Sequence, residues 1–357
     1  MTYVYRSQES DPFARGRTFG AAHPRQIAAT VANYRAMCDD LSATAYDLES
    51  DGAEALVAIE GFAPHLADEV RGMAEGAGLD PRLVAAINAR TEILARIGAR
   101  TRGECSAVIA LPAGSGAPVA VQTWDWYHRF SGGWLVWEIP HADGSVTKTM
   151  TEYGIVGKAG LNTRGIGLLF TILHHTGDGV GIGVPVHVAA RAALDLGADI
   201  NRAAQILAAA RVSASSSINL AAYEDGTAAA LTVELHPGGP SFVLPDDNGL
   251  LIHTNHFLAP APAQCDTEPA AFPDTLVRHN LLHRRLAGQR ITSPMQVVEA
   301  MTSHLGSIAA VCCHHDPRRN AADQYETLAT LSLDLAAGVL NVHAGGPCTA
   351  PSLEATL

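Results

Sequence analysis

Thr101-Arg102-Gly103-Glu104-Cys105-Ser106-Ala107-Val108-Ile109-Ala110 divides the chain into two textures. Before it, apolar residues recur at helical spacing. Ile27, Val31, Tyr34, Cys38, Leu41, Ala45 and Leu48 step by threes and fours, behind Pro24 at a plausible first helical turn. A second helix is expected over 53–77, bent at Pro64 and closed by Gly78. Asp80-Pro81 opens a third, with Leu83, Ile87, Thr91 and Leu94 along one side. After it, residues 105–111 are small and apolar, 112–118 are rich in turn formers, and 119–123 return to β-type residues, which reads as a hairpin. The helical period therefore gives way to short strands at Cys105, and the fold class is α+β.

The same reading carries to the C-terminus. Residues 155–161 and 166–172 flank Asn162-Thr163-Arg164-Gly165 as a second hairpin. Helices are expected over 184–196 and 199–212, then strands over 217–223, 228–234 and 250–254. Helices near 274–287 and 294–304 precede late strands near 327–333 and 339–342. Strands joined mostly as hairpins favour antiparallel sheets layered with helices over a βαβ wheel. No internal repeat, GxGxxG, P-loop or HExxH motif occurs.

Composition narrows the function classes. The 357 residues suffice for one large layered domain or two modest ones. With 24 Lys+Arg against 36 Asp+Glu, the net charge of −12 argues against duplex nucleic acid and anionic membranes as partners. No apolar run approaches the ~18–20 residues of a membrane span, and MTYVYRSQES lacks a signal-peptide pattern. Six scattered cysteines do not make a disulfide scaffold, so a reduced, soluble, cytoplasmic protein is expected.

Four features could carry chemistry. Cys105 leads a strand; it reads either as a small core residue or as a nucleophile. No histidine stands near it in sequence. Cleavage before Cys105 would, however, supply a base from its own α-amine, which titrates near ~7.7 against ~8.5 for a free thiol. Asp125, between Trp124 and Trp126, reads as a desolvated carboxylate or a turn acid. Asn255, in His253-Thr254-Asn255-His256-Phe257, reads as an oxyanion donor or a loop cap. Cys312-Cys313-His314-His315-Asp316 has the look of metal ligands. Neighbours on a strand face opposite ways, though, and no second CxxC or HxxxH completes a set, so no metal site is expected. Trp124, Trp126, Trp134 and Trp137 read equally as a core stripe or as an apolar acyl pocket.

Taken in order, these motifs resemble the acyl-coenzyme A:6-aminopenicillanic acid acyltransferase family of N-terminal-nucleophile hydrolases. The resemblance runs through Asn88-Ala89-Arg90-Thr91-Glu92, Gly103-Glu104-Cys105-Ser106-Ala107, Gln122-Thr123-Trp124-Asp125-Trp126, Glu152-Tyr153-Gly154-Ile155 and Gly160-Leu161-Asn162-Thr163-Arg164-Gly165. It continues through Ser217-Ile218-Asn219-Leu220, Thr254-Asn255-His256-Phe257 and Gly345-Gly346-Pro347-Cys348. It implies a four-layer αββα sandwich with antiparallel sheets, cut between Glu104 and Cys105. Residues 1–104 would form a helical α chain that stays paired with a β chain of 105–357. The resemblance implies Cys105 as nucleophile and base, Asp125 as the carboxylate orienting its amine, and Asn255 in the oxyanion hole. Trp124, Trp126, Trp134, Asn219, His256 and Cys313 are the candidate pocket residues. Cys313 stands where the family has an arginine, which sets penicillin-type transfer in doubt; His314 and Arg318 are candidate substitutes.

The expected activity is hydrolysis of the amide of a small N-acyl amine or N-acyl amino acid through a Cys105 thioester, with acyl transfer as a related capability. The alternative is an acyl-coenzyme A-dependent N-acyltransferase. No cofactor is expected beyond a coenzyme A thioester as acyl donor in that alternative. A zinc-dependent hydrolase or a non-catalytic binding protein are the weaker alternatives, and the association of αβ pairs into higher oligomers stays open.

Overall fold

A computed structural model describes residues 2–42, 44–99, 105–320 and 324–350. Strand β1 (Val4–Arg6) precedes helices α1 (Pro12–Ala22), α2 (Pro24–Ser42), α3 (Leu48–Phe62), α4 (Pro64–Ala77), α5 (Pro81–Asn88) and α6 (Arg90–Ile97). Then come β2 (Cys105–Ala110), β3 (Val119–Tyr127), β4 (Trp134–Pro140), β5 (Val146–Glu152), β6 (Ala159–Asn162) and β7 (Ile166–Ile172). Helices α7 (Val186–Leu196) and α8 (Ile200–Ala209) lead to β8 (Ser216–Glu224), β9 (Thr227–His236), β10 (Gly239–Val243) and β11 (Leu250–His253). The short α9 (Pro260–Ala263) and α10 (Glu268–Ala271), then α11 (Asp274–Leu286) and α12 (Pro294–Met301), precede β12 (Tyr325–Asp334) and β13 (Val339–Ala344). Among the described residues, no helix is long and apolar enough to cross a membrane.

Two open sheets form the centre. One has the order β1-β4-β5-β6-β7-β8-β9-β10, the other β11-β2-β3-β12-β13, and every pairing is antiparallel except β1 with β4. The pleat of β2 explains how they stack. Ala107 and Ile109 face the large sheet, meeting Leu161, Leu169 and Met150. Val108 and Ala110 face outward onto Leu282, Leu286 and Val297 of α11 and α12. Helices α7 and α8 cover the other face of the large sheet. The four layers are therefore helix, sheet, sheet, helix, as expected.

The N-terminal helices dock on the large-sheet side through two devices. Helices α1 and α4 cross with their backbones in contact. A Cβ at Gly16 or Gly20 would come within 2.2 Å of the Glu69 or Met73 carbonyl, and one at Gly72 or Gly76 would meet Phe13 or Arg17. Gly-x3-Gly on both partners makes that approach feasible. The second device is ionic. Arg15 of α1 and Arg191 of α7 both pair with Glu69 of α4, and Arg191 also holds Asp195, all four fully buried.

Several boundaries differ from the sequence reading. The stripe expected from Ile27 to Leu48 breaks at Ser42, and Leu48 begins a new helix whose N-cap is Asp47. Pro64 separates two helices rather than bending one, with Gly78 the left-handed cap of the second. The third helix breaks at Ala89. Residues 155–158 form a loop, because Asn88 accepts from Val156 N–H and donates to the Gly154 carbonyl. Gly154 sits at φ +92°, and a Cβ there would collide with Ile87 and Ile27. Strands β4, β5 and β10 and helix α1 were not anticipated, and β1 places a strand in the segment expected to be all helical.

Candidate active site

Cys105 is the first residue of β2 and pairs in register with Trp124, so Asp125 lies one step along from its partner. Both Cys105 and Asp125 are buried, at 4% and 0% exposure. The Cys105 backbone is gripped from both sides. Its N–H donates to Asn255 Oδ1 at 3.0 Å, and its carbonyl accepts from Arg278 Nη1 at 2.9 Å. Arg278, fully buried on α11, also donates to Asn255 Oδ1 and to Ser106 Oγ at 3.0 and 3.2 Å. Asp274, one turn back, holds its Nε at 3.2 Å.

Asn255 lies two residues past the end of β11, and the strand carries it to Cys105 because β11 pairs with β2. Its backbone N–H donates to Thr275 Oγ1 and its Nδ2 to the Ile172 carbonyl, both at 2.9 Å. Two donors converge on its side-chain oxygen, which fixes the amide orientation. Asn255 thus presents oxygen to the Cys105 N–H. The second Nδ2 hydrogen is committed to none of the described groups.

Burial pushes the Cys105 thiol up to about 12, with the charge of Asp125 adding to the rise. The Asp125 backbone N–H, Lys158 and Arg278 pull against it. Lys158 belongs to a buried charged cluster beside Cys105. Its Nζ lies 3.8 Å from the centre of the Trp124 ring and 2.7 Å from Glu152 Oε2. Glu152 accepts from Tyr34 OH at 2.5 Å and faces Arg90 at 3.4 Å, while Arg90 spreads over the Trp126 and Tyr34 rings. Burial drags Lys158 down to about 8 despite Glu152. Burial raises Glu152, but Lys158 and Arg90 outweigh it and hold its carboxyl below the usual range.

Cys105, Asp125 and Asn255 therefore meet in one place. Glu104 lies outside the described residues. The pocket candidates divide. Trp124 and Trp126 pack between the sheets, and Trp134 stands edge-on to Trp124 at 6.5 Å while lining a groove with Tyr3, Tyr153 and Thr327. Trp137 is core, stacked on Phe19 at 4.3 Å across the large sheet. Asn219 is engaged by Thr232, Ser217 and the Leu169 carbonyl inside that sheet. His256 bonds Thr254 and Thr275 and so steadies the loop that presents Asn255. The Cys313 thiol donates to the Ala310 carbonyl, and its backbone exchanges bonds with Thr327, which pairs with Asp125.

The candidate substitutes for the family arginine are elsewhere. Arg318 has an 88% exposed side chain bound to Asp316, and His314 joins His304 and Cys312. Among the described residues, the buried cations near Cys105 are Arg278, Lys158 and Arg90, none of which the sequence reading placed there. Arg278 carried only one local signal, an Asp four residues earlier on a helix. A second small cavity opens beside the cluster, lined by Arg90, Trp126, Ile172, His174 and Asp178.

The sequence model of the family described as acyl-coenzyme A:6-aminopenicillanic acid acyl-transferase matches residues 113–348. The matched region holds Asp125 and Asn255 and begins past Cys105. The 40 kDa form of the acyl-coenzyme A:6-aminopenicillanic-acid-acyltransferase of Emericella nidulans is 27% identical over 227 residues, covering 63% of this chain and 60% of that protein. A solved penicillin V acylase from Agrobacterium tumefaciens aligns over 67% of this chain and 83% of its own, with 13% identity and a TM-score of 0.46. On the extent of the family match, which takes in two of the three residues gathered at the site, this chain belongs to the acyl-coenzyme A:6-aminopenicillanic acid acyl-transferase family.

Proposed function

We propose that the protein is a self-activating cysteine amidase and acyltransferase. The chain is cut between Glu104 and Cys105, and Cys105 then attacks the carbonyl of a small N-acyl amine or N-acyl amino acid. The observation that carries this reading is the double grip on the Cys105 backbone by Asn255 and Arg278. A core cysteine needs no buried arginine on its carbonyl. An N-terminal nucleophile needs its nitrogen and carbonyl fixed, because both set where the thiol points.

In maturation Sγ attacks the Glu104 carbonyl, the amide becomes a thioester with the proton passing to the leaving nitrogen, and water releases the acid. The freed amine replaces an amide N–H on Asn255. It then takes the thiol proton at each turnover, so a thiol pushed up to about 12 no longer has to ionise into a buried site alone. Asp125 orients the ammonium form. Asn255 turns a spare N–H on the oxyanion, a contribution typically worth about 2.7–4 kcal/mol. Asn88, Arg90 and Glu92 of the leading segment grip Gly154, Glu152 and Val186 of the following one, which supports a cut leader that stays bound as the α chain.

Intact mass after expression tests the cut. Fragments of 104 and 253 residues, roughly 11 and 26 kDa by proportion of length, are expected from wild type. Cys105→Ala should remain whole and inactive. Wild type that stays at 37.4 kDa with full activity would exclude the mechanism. A panel of N-acyl amines, with and without acyl-coenzyme A and 6-aminopenicillanic acid, separates hydrolysis from transfer. The transfer reading rests on the name of the Emericella relative, whereas Cys313 in place of an arginine favours hydrolysis.

A further inference from the structure

The loop between α12 and β12 and the turn after β13 converge beside Thr327, the strand partner of Asp125. His304 follows α12, Cys312 and His314 lie in the loop, and Cys348 sits in the single-turn 3-10 helix Pro347–Thr349. His314 Nε2 is 3.0 Å from His304 Nε2, 3.4 Å from Cys348 Sγ and 3.7 Å from Cys312 Sγ. All four donor atoms lie within 4.8 Å of one another. A tetrahedral zinc with ordinary bond lengths separates its ligands by about 3.3 Å for two nitrogens, about 3.6 Å for nitrogen and sulfur, and about 3.8 Å for two sulfurs. The three edges that meet at His314 already stand near those lengths. Sequence spacing concealed the set, since His304 and Cys348 come from outside the Cys312–His315 run and the adjacent histidine belongs elsewhere. His315 stacks on His128 at 3.8 Å.

We propose that His304, Cys312, His314 and Cys348 bind one structural zinc ion. Two thiols and two imidazoles are the donor chemistry zinc prefers, and four protein ligands leave no open position for water, so the ion holds structure and does no chemistry. Binding releases the two thiol protons to solvent. The ion ties the C-terminal turn to the loop whose next residue, Cys313, bonds Thr327 opposite Asp125. Metal loading thereby steadies one wall of the catalytic centre from outside it. This assignment stands apart from the reaction proposed above and is tested without measuring activity.

The full chain, purified without chelator under reducing conditions, is analysed for zinc. It is then stripped and refilled with Co(II), whose tetrahedral thiolate complexes absorb intensely in the visible. About one zinc per chain is expected, with a tetrahedral Co(II) spectrum and a melting temperature lowered by chelation. Cys348→Ser and His304→Ala, both on exposed side chains, should lose the metal and the spectrum; His315→Ala should keep both. Metal retained at full stoichiometry by both ligand variants would place it elsewhere and overturn the assignment. So would wild type that takes up neither zinc nor tetrahedral Co(II) with its thiols reduced, or a Cys312–Cys348 disulfide in the purified protein.

Discussion

Arg278 donates to the Cys105 carbonyl, Ser106 Oγ and Asn255 Oδ1 at once, a task that depends on a planar fork. Lysine keeps the charge but cannot reach three fixed acceptors. Charged hydrogen bonds are worth about 1.5–3 kcal/mol each. Arg278→Lys should therefore slow the appearance of the two fragments by roughly ten- to a hundredfold, one bond's loss being about a tenfold step per 1.4 kcal/mol. Asn255→Ala separates a second role. If Asn255 meets the charge of the tetrahedral intermediate, its loss lowers kcat by about 10²- to 10³-fold while KM moves little. Steady-state kinetics on chains confirmed as cut and folded read this directly, and a kcat within a few-fold of wild type would remove Asn255 from the oxyanion hole.

At the level of elements, the buried ionic ladder joins pieces that a cut at Glu104 would make separate chains. Glu69 serves two arginines, Arg15 at 2.6 Å through Nε and Arg191 at 2.8 Å. Neutralising it leaves both cations short of charge in a dry interface between α1, α4 and α7. Breaking such a pair typically costs about 3–5 kcal/mol. Glu69→Gln should lower thermal stability by that order and loosen the hold of residues 1–104 on the remainder. Size-exclusion chromatography of the cut protein in mild urea would detect free leader. A Glu69→Gln protein as stable as wild type would show that the α1–α4 glycine contacts suffice for docking.

Across the whole molecule, burial sets the response to acid. His256 is held down to about 3 and His279 to about 4, chiefly by burial, with the charges of His253 and other neighbours adding to it. Burial also holds His187 well below the ordinary value. The unfolded chain would bind these protons near pH 6.5 and the folded one only far below. Stability is thus fully present above pH ~6.5 and falls as pH drops toward 4. Glu92 acts oppositely. Burial raises it to about 8, so the folded chain keeps a proton that the unfolded chain loses above pH ~4.5. Once the unfolded rings are charged, below pH ~5.5, three imidazoles against one carboxyl leave an imbalance of about two protons, or on the order of 2.7 kcal/mol per pH unit. Urea titrations of the uncut Cys105→Ala chain between pH 7 and 4.5 should show that slope. A flat profile would mean that these rings reach solvent.

What the residues determined alone was local and periodic. The helices before residue 100, the switch to strands at Cys105, Asp80 and Gly78 as helix boundaries, and Cys105, Asp125 and Asn255 as candidate residues could all be read along the chain. Each depends on spacing of a few residues or on an ordered set of motifs. What only the tertiary structure decided was long-range. Arg278 reaches Cys105 across 173 residues, and Asn255 does so across 150. Cys348 meets His314 at a sequence separation of 34, which sets a run read as no metal site within a cluster of four potential ligands. The strands β4 and β5 escaped notice because Trp134, Trp137, Glu138, Lys148 and Glu152 mix core and charge on one hairpin. That mixture makes sense only once the N-terminal helices cover one face, while Glu152 pairs with Arg90 and Lys158, Glu138 with Arg6, and Lys148 reaches the Gly338 carbonyl. A side chain's neighbours within a turn or a pleat follow from geometry near the backbone. Its partner across the fold follows from which sheets stack and which helix lands on them, and no local pattern encodes that.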